Sequence, residues 1–482
     1  MSETRPILVP GDTCWRIAPA GRMSVIVDAA DYFAYAKSAL RQANRRAMLI
    51  GWDFDRRIHL DPREAEDGVP DELGAFLGWL RSEKPDLEIY ILKWSVEALA
   101  GITRGSLPYF IQNILGGKRI HLHADAAHPV GSAHHQKIVV IDDEFAFCGG
   151  IDMTLNRWDT SDHLPDNDFR TGPDGKQHDP WHDVTVALDG AAARVVADVA
   201  RARWEAATGE YLEPLSDNRN EIWPTGLAPT FTDQDVGVAR TIPEYGDRAE
   251  ICEIRNLHLA AIAAARSTLY IESQYLASQH MVDALVSRLA EPDGPQIAIV
   301  LPRHADGDVE RKVMDGARQS SLTKLWDADR HNRFRAYYPV TTAGDPIYVH
   351  AKVLIVDDAL LRVGSANLNN RSMGFDSECD VAVEADPNSS ADQVLRHTIA
   401  SVRARLLAEH LDVTTDVLDD AIESSSMIAA IDSLRGDGKT LKPFTPQTVA
   451  NEGSALAHAD LFDPVNVRST RLERIIRGLL KR

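Results

Sequence analysis

One short phrase occurs twice in this chain. His135-Gln136-Lys137 is followed, after four intervening residues, by Asp142; 215 residues later His350-Ala351-Lys352 is followed, after four intervening residues, by Asp357. Fourteen residues beyond each histidine stands a second matched phrase, Gly149-Gly150-Ile151-Asp152 and then Gly364-Ser365-Ala366-Asn367. A single His-x-Lys-x4-Asp match in a chain of this length has odds of about 0.03 at ordinary residue frequencies. Two matches, each with small residues at one offset, point to an internal duplication. A repeated His-Lys pair on a duplicated unit suggests one phosphoryl-transfer centre assembled from two halves.

The residue types suit that chemistry. On an extended strand, side chains at i and i+2 share a face, so His135 projects with Lys137 and His350 with Lys352. Around a pseudo-twofold axis, two imidazoles and two ammonium groups converge on one point. A phosphodiester shifts negative charge onto its equatorial oxygens in the transition state, and fixed cations and donors there lower the barrier. Lys137 and Lys352 supply charge, and Asn367 supplies donors; such a site can dispense with a metal. One imidazole can attack phosphorus, giving a phosphohistidine. The other can protonate the departing alcohol and then activate water. Each ring needs its far nitrogen held by a carboxylate. Asp183 and Glu378, downstream of the two motifs at comparable places, are expected to do this. Which carboxylate faces which ring is open at this level. Asp142 and Asp357 fall on the opposite strand parity, so they are expected to brace neighbouring structure.

Apolar patterning predicts helices over 31–44 and 257–265 and strands over 47–53, 87–92, 138–141, 184–188, 268–272, 297–300 and 353–356. The alternation implies an α/β fold: two similar α/β/α sandwich halves, related by a pseudo-twofold axis, with one shared active site. The expected units are an N-terminal half (1–215), a C-terminal half (216–410) and a partly helical extension (411–482). A polar, proline-bearing stretch from Glu213 to Asp233 reads as the linker. The end of the chain, 468–482, carries arginine and lysine interleaved with leucine and isoleucine at helical spacing. It reads as a docked helix with a solvated basic face, or as a contact for anionic lipid.

Net charge is −20, which disfavours a general nucleic-acid-binding surface. The four cysteines (Cys14, Cys148, Cys252, Cys379) form no Cys-x-x-Cys pair and are expected to be reduced. The N-terminus lacks a basic start followed by an apolar run, and no apolar stretch reaches the ~18 residues that span a bilayer. A cytoplasmic or peripheral-membrane protein is expected, with export by a signal-less route left open.

The motifs together resemble the phospholipase D superfamily, and within it the eukaryotic-type phospholipases D. The matching stretches are 134–142, Gly149 to Asp159 with its Arg157-Trp158-Asp159, and Pro180-Trp181-His182-Asp183 in the first half. In the second they are Tyr270-Ile271-Glu272-Ser273-Gln274-Tyr275, 347–352 and Gly364 to Glu378. The similarity covers roughly residues 20 to 405. It implies His135 as nucleophile, His350 as general acid and base, and transfer to primary alcohols beside hydrolysis. It also implies phosphate or substrate contacts at Gly150, Asp152, Ser365 and Asn367, with Trp52 and Trp181 at the floor or mouth of the site. No metal or cofactor is required on this reading. The partner is a phospholipid at a membrane surface, with no nucleic acid, and the protein is a monomer with internal pseudo-symmetry. Residues before about 30 are too few for a calcium- or phosphoinositide-binding module, so calcium dependence is not carried over. Asp152 stands where the second half has Asn367, so the two phosphate cradles are not equivalent.

The competing functions are a phosphatidyltransferase of the cardiolipin synthase kind, a nuclease or other non-lipid phosphodiesterase, and a non-catalytic lipid-binding scaffold. The histidines at 121, 123, 128, 134 and 135 lack suitably spaced carboxylate or cysteine partners for zinc. Gly438-Lys439-Thr440 lacks the earlier glycine of a phosphate loop, having Ser433 in its place.

Overall fold

Every strand expected from the apolar runs enters one continuous sheet. The computed structural model describes residues 5–64, 68–94, 119–215, 221–453 and 463–464. The first half contains β1 (Arg16–Val27), β2 (Arg46–Gly51), β3 (Glu88–Trp94), β4 (Ile120–Asp125), β5 (Ile138–Ile141), β6 (Phe145–Gly149), β7 (Trp181–His182) and β8 (Val184–Asp189). The second contains β9 (Phe231–Ile242), β10 (Ile251–Cys252), β11 (Thr268–Glu272), β12 (Gln296–Val300), β13 (Phe334–Val340), β14 (Tyr348–Val349), β15 (Val353–Val356), β16 (Leu360–Gly364) and β17 (Glu378–Glu384). A last strand, β18 (Thr440–Pro443), follows helices over Thr415–Ser424 and Met427–Leu434.

The sheet order is β18-β13-β12-β11-β15-β16-β17-β9-β1-β8-β6-β5-β2-β3-β4. Outward from the β9/β1 seam, the two directions repeat one plan: β1-β8-β6-β5-β2-β3-β4 against β9-β17-β16-β15-β11-β12-β13. The seam is antiparallel, from Arg16 opposite Val238 to Met23 opposite Phe231, so the copies are related by a twofold rotation. The halves are therefore α/β units sharing one sheet. Helix Gly190–Thr208 packs across the seam on one face, and helix Gln393–Leu411 shares its core, which takes Val25 and Val186 from one half and Val238 and Val381 from the other.

Local chemistry explains the site-bearing hairpins. β5 and β15 are four consecutive apolar residues, buried on both faces. Each is followed by two left-handed residues, Asp142-Asp143 (φ 50° and 57°) and Asp357-Asp358 (φ 51° and 51°), a conformation that aspartate tolerates better than most side chains. Asp142 accepts the amides of Asn44, Arg45 and Arg46 at 2.7–2.8 Å, and Asp357 those of Arg266, Ser267 and Thr268 at 2.6–2.7 Å. Each clamps the entry to β2 or β11 and points away from the cavity described below.

Three features depart from expectation. β9 begins at Phe231, inside the stretch read as linker. The chain start packs on the far half: Ile7 and Leu8 lie in the second half's core and donate their amides to Glu384 at 2.6 and 2.8 Å. The segment after 411 adds an edge strand, β18 beside β13. The basic stretch 468–482 lies outside the described residues. All four cysteines are free. Among the described residues, no helix is long and apolar enough to cross a membrane.

Candidate active site

Two matched backbone contacts bring the motifs together. β14, just ahead of His350, runs parallel to β7, just ahead of Asp183. The pseudo-symmetric counterpart is a parallel bridge from His134 to Ser377, just ahead of Glu378. In consequence His350 N–H donates to His182 O and His135 N–H donates to Ser377 O, each at 2.8 Å. Each histidine is thus laid beside the carboxylate of the other half. His135 Nδ1 lies 3.0 and 3.1 Å from the two Glu378 oxygens, and His350 Nδ1 lies 2.6 Å from Asp183 Oδ2. Both rings line one cavity of about 420 Å³, together with Trp52, Trp94, Asp152, Arg157, Trp181, Gln274, Tyr275, Asn367 and Arg371 among others.

The His-x-Lys segments precede the regular ladders of β5 and β15. The lysines are buried beneath the rings. Lys137 Nζ donates to His135 O at 3.0 Å and pairs with Asp152 at 3.0 Å. Lys352 Nζ donates to His350 O. Burial and the nearby ammonium groups hold both imidazoles well below their ordinary range. Burial pushes Lys352 down to about 7, Glu378 up to about 7 and Asp183 up to about 6. Neutral rings with Nδ1 engaged by a carboxylate leave Nε2 as the reactive nitrogen.

Two expected phosphate contacts are corrected. Gly150 and Ser365, like Lys137 and Lys352, do not line the cavity; Gly150 and Ser365 sit behind the carboxylates. A Cβ on Gly150 would lie 2.1 Å from Asp183 Oδ1, so glycine makes room for that carboxylate. Ser365 Oγ donates to Glu378 Oε2 at 2.5 Å, and Ser372 Oγ donates to Oε1 at 2.7 Å, fixing the longer side chain. Asp152 does line the cavity, but its oxygens face Lys137 and the Trp52 amide (2.9 Å). Asp152 thus holds the lysine through an ion pair.

Asn367 faces the cavity. Its Nδ2 lies 3.3 Å from Gln274 Oε1, while its buried Oδ1 has no protein partner. Gln274 Nε2 in turn lies 2.7 Å from Tyr275 Oη and 3.0 Å from Tyr348 Oη. Turning both amides together keeps every one of these bonds, with the hydroxyls donating. Trp52 stacks on Trp94 with centroids 5.5 Å apart; Trp181 stacks on Tyr348 at 4.3 Å and tilts against His350 at 5.3 Å.

Sequence reasoning passed over Arg157, whose guanidinium lies 4.0 Å from the Trp181 ring centroid and lines the cavity. It lay in the Arg-Trp-Asp phrase, but no spacing rule set it apart from a surface arginine. Of the crowded early histidines, His134 pairs with Asp125 at 3.0 Å and His121 with Glu88 at 2.7 Å. Lys439 reaches Ser161 O, far from any phosphate-loop role.

Comparisons with known proteins show what the chain is similar to. A family model described as phospholipase D matches residues 116–285, and one described as cardiolipin synthase, PLD-like domain, matches residues 258–398. The chain is 25% identical over 479 residues to phospholipase D A of Dictyostelium discoideum, covering 82% of this chain and 36% of the relative. It is 26% identical over 408 residues to phospholipase D alpha 1 of Cynara cardunculus, covering 60% and 50%. The chain thus spans about a third to a half of the length of these relatives. A solved phosphatidylserine synthase from Haemophilus influenzae shares the fold, with a TM-score of 0.55 and 12% identity over 82% of this chain and 88% of that one. The chain belongs to the phospholipase D superfamily, in its eukaryotic-type branch.

Proposed function

We propose that the protein is a phospholipase D, cleaving a glycerophospholipid to phosphatidic acid and a free headgroup alcohol, with transfer to primary alcohols as a second outcome. The carrying observation is the crossed pair of imidazole–carboxylate couples lining one cavity. His135 Nε2 attacks phosphorus while the bond to the headgroup oxygen breaks. His350 Nε2–H gives its proton to that oxygen. His350 then takes a proton from water or an alcohol, whose oxygen displaces His135 and releases the phosphatidyl product. The anionic phosphate raises the proton affinity of His350, which burial and the neighbouring cations otherwise depress. Arg157 and Asn367 on the cavity wall, with the charge of Lys137 and Lys352 beneath the rings, stabilise the equatorial oxygens, and this scheme routes no step through a metal. Glu378 and Asp183 are positioning residues for the two rings. A phospholipid at a membrane surface, a monomeric chain and no nucleic-acid partner complete the reading. The units 1–215, 216–410 and 411–482 are proposed as its evolutionary halves and extension, though their physical cores interpenetrate.

The test is headgroup release from phospholipid vesicles, with ethanol added to report transfer. Wild type is expected to release headgroup and form phosphatidylethanol. His135→Ala and His350→Ala are each expected to lose more than about three orders of magnitude in kcat with unchanged melting temperature. With a p-nitrophenyl phosphodiester, whose leaving group needs no acid, His350→Ala should accumulate the adduct on His135, visible by mass spectrometry. A label on any other residue, or substantial turnover in either variant, overturns the scheme. Transfer without hydrolysis would favour the phosphatidyltransferase, and cleavage of DNA alone the nuclease.

A further inference from the structure

A second constellation lies outside the cavity, on the buried side of the His350 couple. We propose that Asp28, His163, His182 and Glu409 form a binding site for a divalent cation of the zinc class. One ligand atom from each gathers within 4.8 Å of the others. His163 Nε2 is 3.2 Å from Glu409 Oε1 and 3.7 Å from Asp28 Oδ2; His182 Nδ1 is 2.8 Å from Glu409 Oε1 and 3.5 Å from Asp28 Oδ1. Four ligands held about 2.0–2.1 Å from a tetrahedral ion lie about 3.3 Å from one another, and these four imidazole–carboxylate separations, measured to both Asp28 oxygens and to Glu409 Oε1, straddle that value. The two distances to Asp28 are too long for N–H···O hydrogen bonds, yet suit carboxylate and imidazole facing a shared ion.

The surroundings repeat the arrangement that metal-bound imidazoles need. Each ring turns its other nitrogen to a further carboxylate: His163 Nδ1 lies 2.9 Å from Asp159, and His182 Nε2 lies 2.9 Å from Glu272. Such outer carboxylates fix which nitrogen faces the ion and raise its basicity. Asp28 is itself held, accepting Ser161 Oγ at 3.0 Å and the Asp183 amide at 3.2 Å. Two imidazoles with two carboxylates fit zinc, or cobalt in its place, better than the harder magnesium or calcium. Every ligand is protein and none lines the cavity, so the ion is structural. It ties the end of β1, the 159–163 loop, β7 and helix Gln393–Leu411, and β7 carries the carbonyl that holds the His350 amide.

The test reads metal, not lipid turnover, so it stands or falls apart from the phospholipase assignment. The whole chain, equilibrated with zinc and desalted, should retain one zinc per chain by plasma mass spectrometry. Cobalt in its place should give the strong visible absorption of a four-coordinate ion. Chelation should lower the melting temperature, and zinc should restore it. His163→Gln and Glu409→Gln should each lose the bound metal. His304→Gln, in the separate His304–Asp315–Glu452 group, should keep it. No retained metal in wild type overturns the proposal, as does a weak six-coordinate cobalt spectrum, or full retention in both His163→Gln and Glu409→Gln. The wild-type cobalt spectrum decides the matter even if the variants fail to fold.

Discussion

His135 and His350 each commit Nδ1 to a carboxylate from the opposite half, and this crossing makes the two steps of the reaction separable. Glu378→Gln should slow attack on phosphorus, by about two to four orders of magnitude, whatever the leaving group. Asp183→Asn should do so mainly for headgroups that need protonation, sparing the first turnover with a p-nitrophenyl leaving group. Burst kinetics on both substrates measure the contrast; equal losses on both would contradict it. The pH dependence follows from the same buried groups. Falling pH protonates Glu378, pushed up to about 7, and removes the acceptor for the His135 ring. Rising pH strips Lys352, pushed down to about 7, of its charge. A plot of kcat/KM against pH should therefore be a narrow bell centred near neutrality, its limbs belonging to the coupled cluster. A plateau from about pH 5 to 9 would contradict it. The histidines, lysines and both carboxylates were legible because their spacing repeats. The crossed pairing was not, because it depends on β14 meeting β7 across the seam. Gly150 and Ser365 misled for a related reason: a small residue beside a motif looks the same whether it makes room for phosphate or for a carboxylate.

The hairpins β5–β6 and β15–β16 depend on an aspartate that touches no substrate. Asp142→Ala would strip three backbone amides of their acceptor and is expected to cost about 2–4 kcal/mol. A lower denaturant midpoint with kcat nearly intact is the signature; unchanged stability would contradict it. Gly150→Ala should behave the opposite way. Its methyl group falls on Asp183 Oδ1, so activity should drop far more than the melting temperature. The strands over 138–141 and 353–356 could be read to the residue because four apolar β-branched or leucine side chains in a row suit only doubly buried positions. The central strands escaped. β1 carries Pro19 and begins on exposed residues, and the exposed half of β9 holds Thr232 and Asp233. Their place in the sheet comes from each other, and no local pattern records that.

At the scale of the molecule, the β1/β9 seam joins the duplicated units into one sheet, residues 5–15 cross onto the second half, and 411–453 extend that half's edge. The chain should melt in one calorimetric transition rather than two. Halves cut within 216–220 and expressed separately should be inactive and prone to associate through the bared β1 or β9 edge; co-expression should restore headgroup release. Activity in either half as a monomer would refute the crossed site. The crossing has a final corollary. Two identical copies of one such unit, docked through the same seam, would already contain both couples. The present polypeptide is thus equivalent to a homodimer whose subunits have been fused. Fusion lifted the demand that both sides be alike, which left Asp183 free to differ from Glu378, Asp152 from Asn367, and one ring to attack while its twin handles protons.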